Sequence, residues 1–298
     1  MVKNAETIVP TRKKKKNRSQ GADIMRRFLK NKGAVVGLII VLILAFIAIF
    51  ADVLMDYETQ VVGYVAKERL QWPNAKHWFG TDAMGRDLFW RVLYGTKYSF
   101  AIGIAVTAVS AAVGIPLGAA AGYIGGSVDD ILMRVMDMIS AIPNLLMGIV
   151  IVSALGTNTV NLIIAVSIGG IAGASRITRA AVMTVKNQEY IESARAVGLK
   201  NGKIVVDHIL PNCLSPIIVE MTLRVASAII SASSLSFLGL GVPVPSPEWG
   251  ALLSAGRNMI REYSYLTMFP GLAILITVLA LNLMGDGLRD AMDPKLRK

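Results

Sequence analysis

Apolar runs of membrane length, separated by short polar stretches, set the plan of this chain. Charge-free segments extend from Ala34 to Ala51, Tyr98 to Val128, Met138 to Ser175 and Tyr263 to Gly285, and Cys213 to Leu240 is interrupted only by Glu220 and Arg224. Each is long enough for the roughly 20 residues that carry a helix across a bilayer. The run from Met138 to Ser175 contains the turn-forming sequence GTNTVN (Gly156 to Asn161), which predicts one helix entering before the break and another returning after it. The pattern therefore predicts an all-α polytopic membrane protein with six transmembrane helices.

Between the fourth and fifth spans lies a polar stretch, residues 186–212, with helical periodicity. Tyr190, Ala194 and Val197 fall on one face at i, i+4 and i+7, while Glu189, Glu192 and Arg195 occupy the remainder. Gly198 is placed to end this helix, Asn201 to cap a second short one through Ile209, and Pro211 to sit in the first turn of the fifth span, where a missing N–H is harmless. Such a helix–turn–helix could anchor at the membrane surface. The small residues Ser193 and Ala194, flanked by charge, suit close docking into another protein better.

Composition agrees with the pattern. Of 298 residues, 54% are apolar and 17% charged, and the mean hydropathy is +0.55, too oily for an ordinary soluble domain of this length. Charge then suggests orientation. The first 32 residues carry eleven Lys or Arg, including RKKKK (Arg12 to Lys16), and six spans put both termini on one side. With that side in the cytosol, the cytosolic segments hold 22 basic residues and the opposite side eight, as the positive-inside rule requires. The RKKKK run can be read as a nucleic-acid patch. Attraction to anionic lipid headgroups accounts for it more directly, and no nucleic-acid partner is expected. The Ala34 to Ala51 run exceeds the apolar core of a cleaved leader, and no small-x-small site follows it.

Within the spans, Gly114, Gly118 and Gly122 line one helix face, as do Ala165, Gly169 and Gly173 on another, a pattern that lets helix backbones pack closely. Pro116 and Pro143 are expected to kink their helices. The fifth span carries Ser227, Ser231, Ser233, Ser234 and Ser236. Ser227, Ser231 and Ser234 are candidates to line an aqueous path, although serines also bond back to their own helix carbonyls. Glu220 and Arg224, at i and i+4 with the acid first, form a candidate intramembrane pair. An intramembrane pair either ties helices together or answers a moving neighbour.

Familiar catalytic chemistry is missing. His77 and His208 are the only histidines and Cys213 the only cysteine, so neither a disulfide nor a metal centre is expected. GTDAMGRD (Gly80 to Asp87) has phosphate-loop spacing but continues with Arg and Asp, and GLKNGKI is one residue short; neither is a Walker A loop. A secondary transporter would place unpaired carboxylates or broken helices at mid-membrane. An intramembrane hydrolase would need a nucleophile beside a base within a span.

The residues ESARAVG (Glu192 to Gly198), followed after nine intervening residues by HILPN (His208 to Asn212), resemble the signature loop of the membrane subunits of ABC importers. Ser193 stands where the general signature has Ala, and His208 where it has Ile, as in the peptide-importer branch. HWFGTDAMGRDLFWRVLYGTKYS (from His77), DDILMRVMDMISAIP (from Asp129), SLSFLGLGVPVPSPEWG (from Ser234) and NLMGDGLRDAMDPKLR (from Asn282) also resemble the second permease of dipeptide and oligopeptide importers. The similarity runs from about Met25 to the C-terminus.

The resemblance implies the type I ABC importer permease fold. It implies a basic cytosolic tail over 1–33, a first helix and external loop over 34–97, a five-helix core over 98–288 and a cytosolic tail over 289–298. The loop 186–212 would be a coupling helix docked on a separate ATPase, through Tyr190, Glu192, Ser193, Ala194, Arg195, Gly198, Leu199, His208 and Pro211. The implied partners are a homologous second permease, two cytosolic ATPase subunits that use ATP and Mg, and an extracytoplasmic solute-binding protein. The chain itself would bind no cofactor and catalyse nothing. Similar permeases carry dipeptides, oligopeptides, glutathione, nickel chelates or oligosaccharides, and the residues do not choose among them.

Overall fold

The structure is a computed structural model that describes residues 20–293; the RKKKK run and the end of the C-terminal tail lie outside the described residues. Eleven α-helices follow in order: α1 Gln20–Phe28, α2 Lys32–Leu54, α3 Leu88–Ile124, α4 Gly126–Ala141, α5 Asn144–Leu155, α6 Thr159–Val185, α7 Glu189–Ala196, α8 Asn201–Ile204, α9 Leu210–Phe237, α10 Trp249–Gly256 and α11 Tyr265–Met292. Single 3-10 turns at Ala66–Glu68 and Arg257–Met259 and π-helical segments at Tyr57–Val61 and Val205–Ile209 complete the set. Among the described residues there is no strand, only an isolated bridge between Thr81 and Asp87.

Five helices are long and apolar enough to cross a membrane, with α9 counted from Asn201 through the π segment, and the pair α4–α5 makes a sixth span if taken together. This goes beyond the kink at Pro143 expected from the sequence. Pro143 does more than kink a helix: it stands between α4 and α5, which meet at 85°. The 12 residues of α5 rise only about 18 Å, short of the ~30 Å apolar core. A correction concerns α3, which begins at Leu88 rather than near Tyr98, capped by the Asp87 carboxylate accepting from Phe89 N at 2.9 Å. Its 37 residues extend roughly 55 Å, well beyond the bilayer core.

The α3–α6 pair forms the largest interface of the bundle. Gly114, Gly118 and Gly122 make it possible, as a Cβ at Gly118 would stand 2.2 Å from the Ser175 carbonyl oxygen. Their partners are Ala174, Ser175, Thr178 and Val182, so the second small face, at Ala165, Gly169 and Gly173, is left for other contacts. Pro116 is accommodated within an unbroken α3.

At one end of the bundle the segment 56–87 and the α9–α11 connection share one apolar cluster with the ends of α3 and α11. Tyr265 Oη donates to Thr81 O at 2.8 Å, Trp249 Nε1 donates to Val92 O at 2.9 Å, and the Phe79 and Phe269 rings stack at 3.9 Å. Buried Arg91 reaches Val61 O at 3.1 Å and Asp82 Oδ2 at 3.7 Å. The GTDAMGRD sequence is thus a structural turn, with Asp82 accepting from Met84 N, Arg86 N and Arg86 Nε. His77 is buried there between Asp87 (2.8 Å) and Glu68 (3.3 Å). The Lys76 ammonium, hydrogen-bonded to Glu68, holds that carboxyl below its ordinary value against desolvation, and His77 adds to the effect.

Candidate functional site

The middle of α9 borders a cavity of about 160 Å³ between α3, α5, α6 and α9. Arg224 is near the centre of this helix, where a charge is costly unless satisfied. Its Nη2 donates to Glu220 Oε1 at 2.7 Å, one turn back on the same helix. The guanidinium lies on the small face of α6: a Cβ at Gly173 would come within 2.1 Å of Nη2. A Cβ at Gly169 would meet the Asn144 amide oxygen at 2.4 Å. The glycines of α6 therefore seat polar side chains, not another helix backbone. Arg224 Nε is buried without a hydrogen-bond partner.

Ser227, Ser231 and Ser234 all line this cavity, together with Asn144 from the start of α5. The alternatives of lining and back-bonding are not exclusive, because Ser234 Oγ also donates to Ile230 O at 2.8 Å. Ser233 and Ser236 are buried away from it. Ser233 belongs to a site that the sequence did not reveal: the Glu248 carboxylate, 1% exposed, accepts from Ser99 Oγ and Ser233 Oγ at 3.2 Å each, and from Gly250 N and Ala251 N. Asn144 was missed as well. Its signal was local, a helix-starting polar residue directly after Pro143 in an otherwise apolar run.

At the opposite end of α9, residues 186–212 fold against the bundle. In α7 the buried side chains are Ile191 and Ala194, whereas Tyr190 and Val197 are exposed, Val197 at 81%. Of the expected face of Tyr190, Ala194 and Val197, Ala194 is buried, but Ile191 takes the place of Tyr190 and Val197 stays outside: the β-branched Ile191 enters a cluster with Ala194, Val182, Ile204, Ile209 and Cys213. Glu192, Ser193 and Arg195 are exposed. The helix ends in a Schellman motif. Gly198 adopts φ +79°, its N–H reaches Arg195 O at 2.9 Å, and Leu199 N reaches Ala194 O at 3.2 Å.

Asn201 does not cap α8 as expected. It is the first helical residue, and its Oδ1 accepts from Tyr123 Oη at 2.7 Å, tying the loop to the end of α3, while the Arg195 guanidinium lies 5.4 Å over the Tyr123 ring. Beyond it, the second short helix is not separate from the span: α8 runs through the π segment directly into α9, with half-buried His208 in that segment and Pro211 in the first turn. Proline lacks the N–H of a regular ladder and crowds the carbonyl four residues back. A locally wider π turn relieves that conflict.

Ion pairs reinforce the same end. Arg179 and Asp129 form two hydrogen bonds of 2.5 Å, and Arg176 donates to Asp137 at 2.9 Å. Among the described residues, no group of three His, Cys, Asp or Glu side chains is placed to hold a metal ion.

Residues 114–298 match the family described as the binding-protein-dependent transport system inner membrane component. Residues 19–73 match the N-terminal transmembrane domain of oligopeptide transport permease C. The dipeptide transport system permease protein DppC of Alkalihalophilus pseudofirmus is 42% identical over 92% of this chain and 90% of its own length. The glutathione transport system permease protein GsiD of Pectobacterium atrosepticum is 42% identical over 97% and 96%. The oligopeptide transport system permease protein OppC of Bacillus subtilis is 40% identical over 95% and 92%. Among solved structures, a chain of the MetNI methionine ABC transporter in inward-facing conformations superposes with a TM-score of 0.58 at 15% identity, covering 69% of this chain and 98% of that one. The helical bundle, its signature loop and these similarities agree: the chain belongs to the inner-membrane permease family of binding-protein-dependent ABC importers, in its dipeptide and oligopeptide branch.

Proposed function

We propose that this chain is one of two homologous permease subunits of an ATP-driven peptide importer. In this reading it forms half of the translocation path, with the cavity at Arg224, Ser227, Ser231 and Ser234 as part of its wall. Two cytosolic ATPase subunits dock on residues 186–212 and use ATP and Mg, an extracytoplasmic binding protein delivers the substrate, and this chain catalyses nothing. Both termini and the 186–212 loop are cytosolic. The relatives that carry dipeptides, oligopeptides and glutathione, itself a tripeptide, support the substrate class.

The observation that carries the coupling role is mechanical continuity. The outward side of α7 and its cap offers Glu192, Arg195 and Val197, its inner face is packed in an apolar cluster, and α8 continues as helix into α9 and so to the cavity. A push on that face reaches the cavity wall through helix and not through a compliant linker.

The test uses affinity purification of the ATPase subunits with the tagged chain, alongside uptake of labelled peptide. Glu192→Lys reverses a charge at the docking face, and loss of a charge-assisted contact costs on the order of 1.5 to 3 kcal/mol, roughly ten- to a hundredfold in association. Gly198→Val forces a β-branched residue to φ +79°, at a cost of roughly 1 to 3 kcal/mol. Both variants are expected to insert and pair normally but recover less ATPase and import poorly, while Lys200→Gln changes little. Wild-type ATPase recovery and uptake in both variants at normal abundance would reduce the loop to a surface anchor.

A further inference from the structure

We infer that the mid-span cavity is a carboxylate-recognition station, in which the Arg224 guanidinium takes the carboxylate terminus of a passing peptide. The inference rests on the peptide-importer reading for the identity of the ligand, but its physical basis is local.

A guanidinium has five N–H donors in a planar fork. On Arg224 a single hydrogen bond is formed, from Nη2 to Glu220 Oε1, and Nε is buried without a partner. A purely structural pair at mid-membrane would be expected to satisfy its donors, because an unpaired buried N–H is costly. Here the side chain opens instead onto a cavity whose polar lining is rich in donors: the Ser227 and Ser231 hydroxyls and the Asn144 amide. The N-terminus of α5 adds to them. Asn144 and Leu145, its first two residues, both line the cavity, and Pro143 gives this helix no side-chain cap. Its first backbone N–H groups and the positive end of its dipole therefore lie at the cavity edge.

Donors gathered around a fixed cation, within apolar walls such as Val106 and Leu235, call for an anion with two acceptor oxygens. The volume of about 160 Å³ is that of about five waters at ~30 Å³ each. That accommodates a carboxylate and a small side chain, the end of a peptide and not its length. Glu220 is the internal competitor. With the cavity empty it neutralises Arg224, and an entering carboxylate shares or displaces it, so the site holds its ligand weakly enough to release it onward.

The assembled transporter, purified in detergent, is titrated with N-acetylalanine and separately with its neutral amide, and thermal stabilisation is converted to apparent affinity. N-acetylalanine is expected to stabilise the wild-type complex and the amide to do so at least tenfold more weakly. Arg224→Gln is expected to bind N-acetylalanine roughly ten- to a hundredfold more weakly with the amide unchanged, and Arg224→Lys to retain part of the difference. Glu220→Gln, which removes the competitor, is expected to bind the carboxylate more tightly, and it decides the matter if the glutamine variant at 224 does not assemble. Equal stabilisation by both probes, or the same carboxylate affinity in wild type and both neutral variants, overturns the station. Peptide uptake by reconstituted wild-type complex is measured in parallel: carboxylate binding lost in Arg224→Gln without any peptide uptake in wild type sinks the peptide reading and leaves the site standing.

Discussion

Glu248 joins three helices through one side chain. Its carboxylate caps α10 through Gly250 N and Ala251 N, and the same group accepts from Ser99 on α3 and Ser233 on α9. Removing it forfeits a helix cap, about 0.5 to 2 kcal/mol, and leaves buried donors unpaired at ~1 to 3 kcal/mol. Glu248→Ala is therefore expected to lower the thermal midpoint of the detergent-purified chain by several degrees, and Glu248→Gln, which keeps one acceptor oxygen, by less. An unchanged midpoint in the alanine variant would show that the three helices do not depend on this group. The sequence gives no warning of its role: Glu248 follows two prolines in PSPEWG and reads as a surface turn. Glu220 and Arg224 were legible because two charges at i, i+4 inside an apolar run have few places to go. Their neighbour Asn144 was not, since a neutral amide barely disturbs hydropathy.

At the scale of elements, hydropathy found where the chain is apolar but not where it bends. The α4–α5 break falls inside one charge-free run, and only Pro143 marks it. In α7 the eight residues are too few for periodicity to choose between adjacent faces, and packing of Ile191 decided the matter. The order of the loop, from a glycine stop through a short helix to a proline at the start of a span, was legible because Gly198 and Pro211 each obey a backbone rule. The unbroken passage from α8 into α9 was not, because a π turn has no side-chain signature. That passage yields a separate prediction. Two glycines inserted between Ile209 and Leu210 leave the outward face of α7 intact but soften its link to the cavity wall. The variant is expected to recover wild-type amounts of ATPase on purification and yet import at a small fraction of the wild-type rate. Uptake close to wild type would mean that helix continuity does not transmit the motion.

For the molecule as a whole, the two polar segments at one end of the bundle are knitted by Arg91, Tyr265 and Trp249 into a single cap, and the 186–212 loop occupies the other end. The proposed orientation makes the cap external. Cysteines at exposed positions report it: Met84→Cys and Val244→Cys are expected to react with an impermeant thiol reagent on intact cells or spheroplasts, and Asn187→Cys only after permeabilisation. The reverse pattern would invert the topology. The family itself was legible because its motifs are the places where backbone geometry or charge pairing leaves little choice, such as the Asp82 turn, the Asp129–Arg179 pair and the Gly198 stop. These labelling experiments can keep the natural cysteine in place, because Cys213 has no exposed surface and lies in the same cluster as Ile191 and Ala194. Sealed there, its thiol is reached only when that cluster parts, so its rate of modification is a clock on the opening of the loop, already built into the unaltered chain.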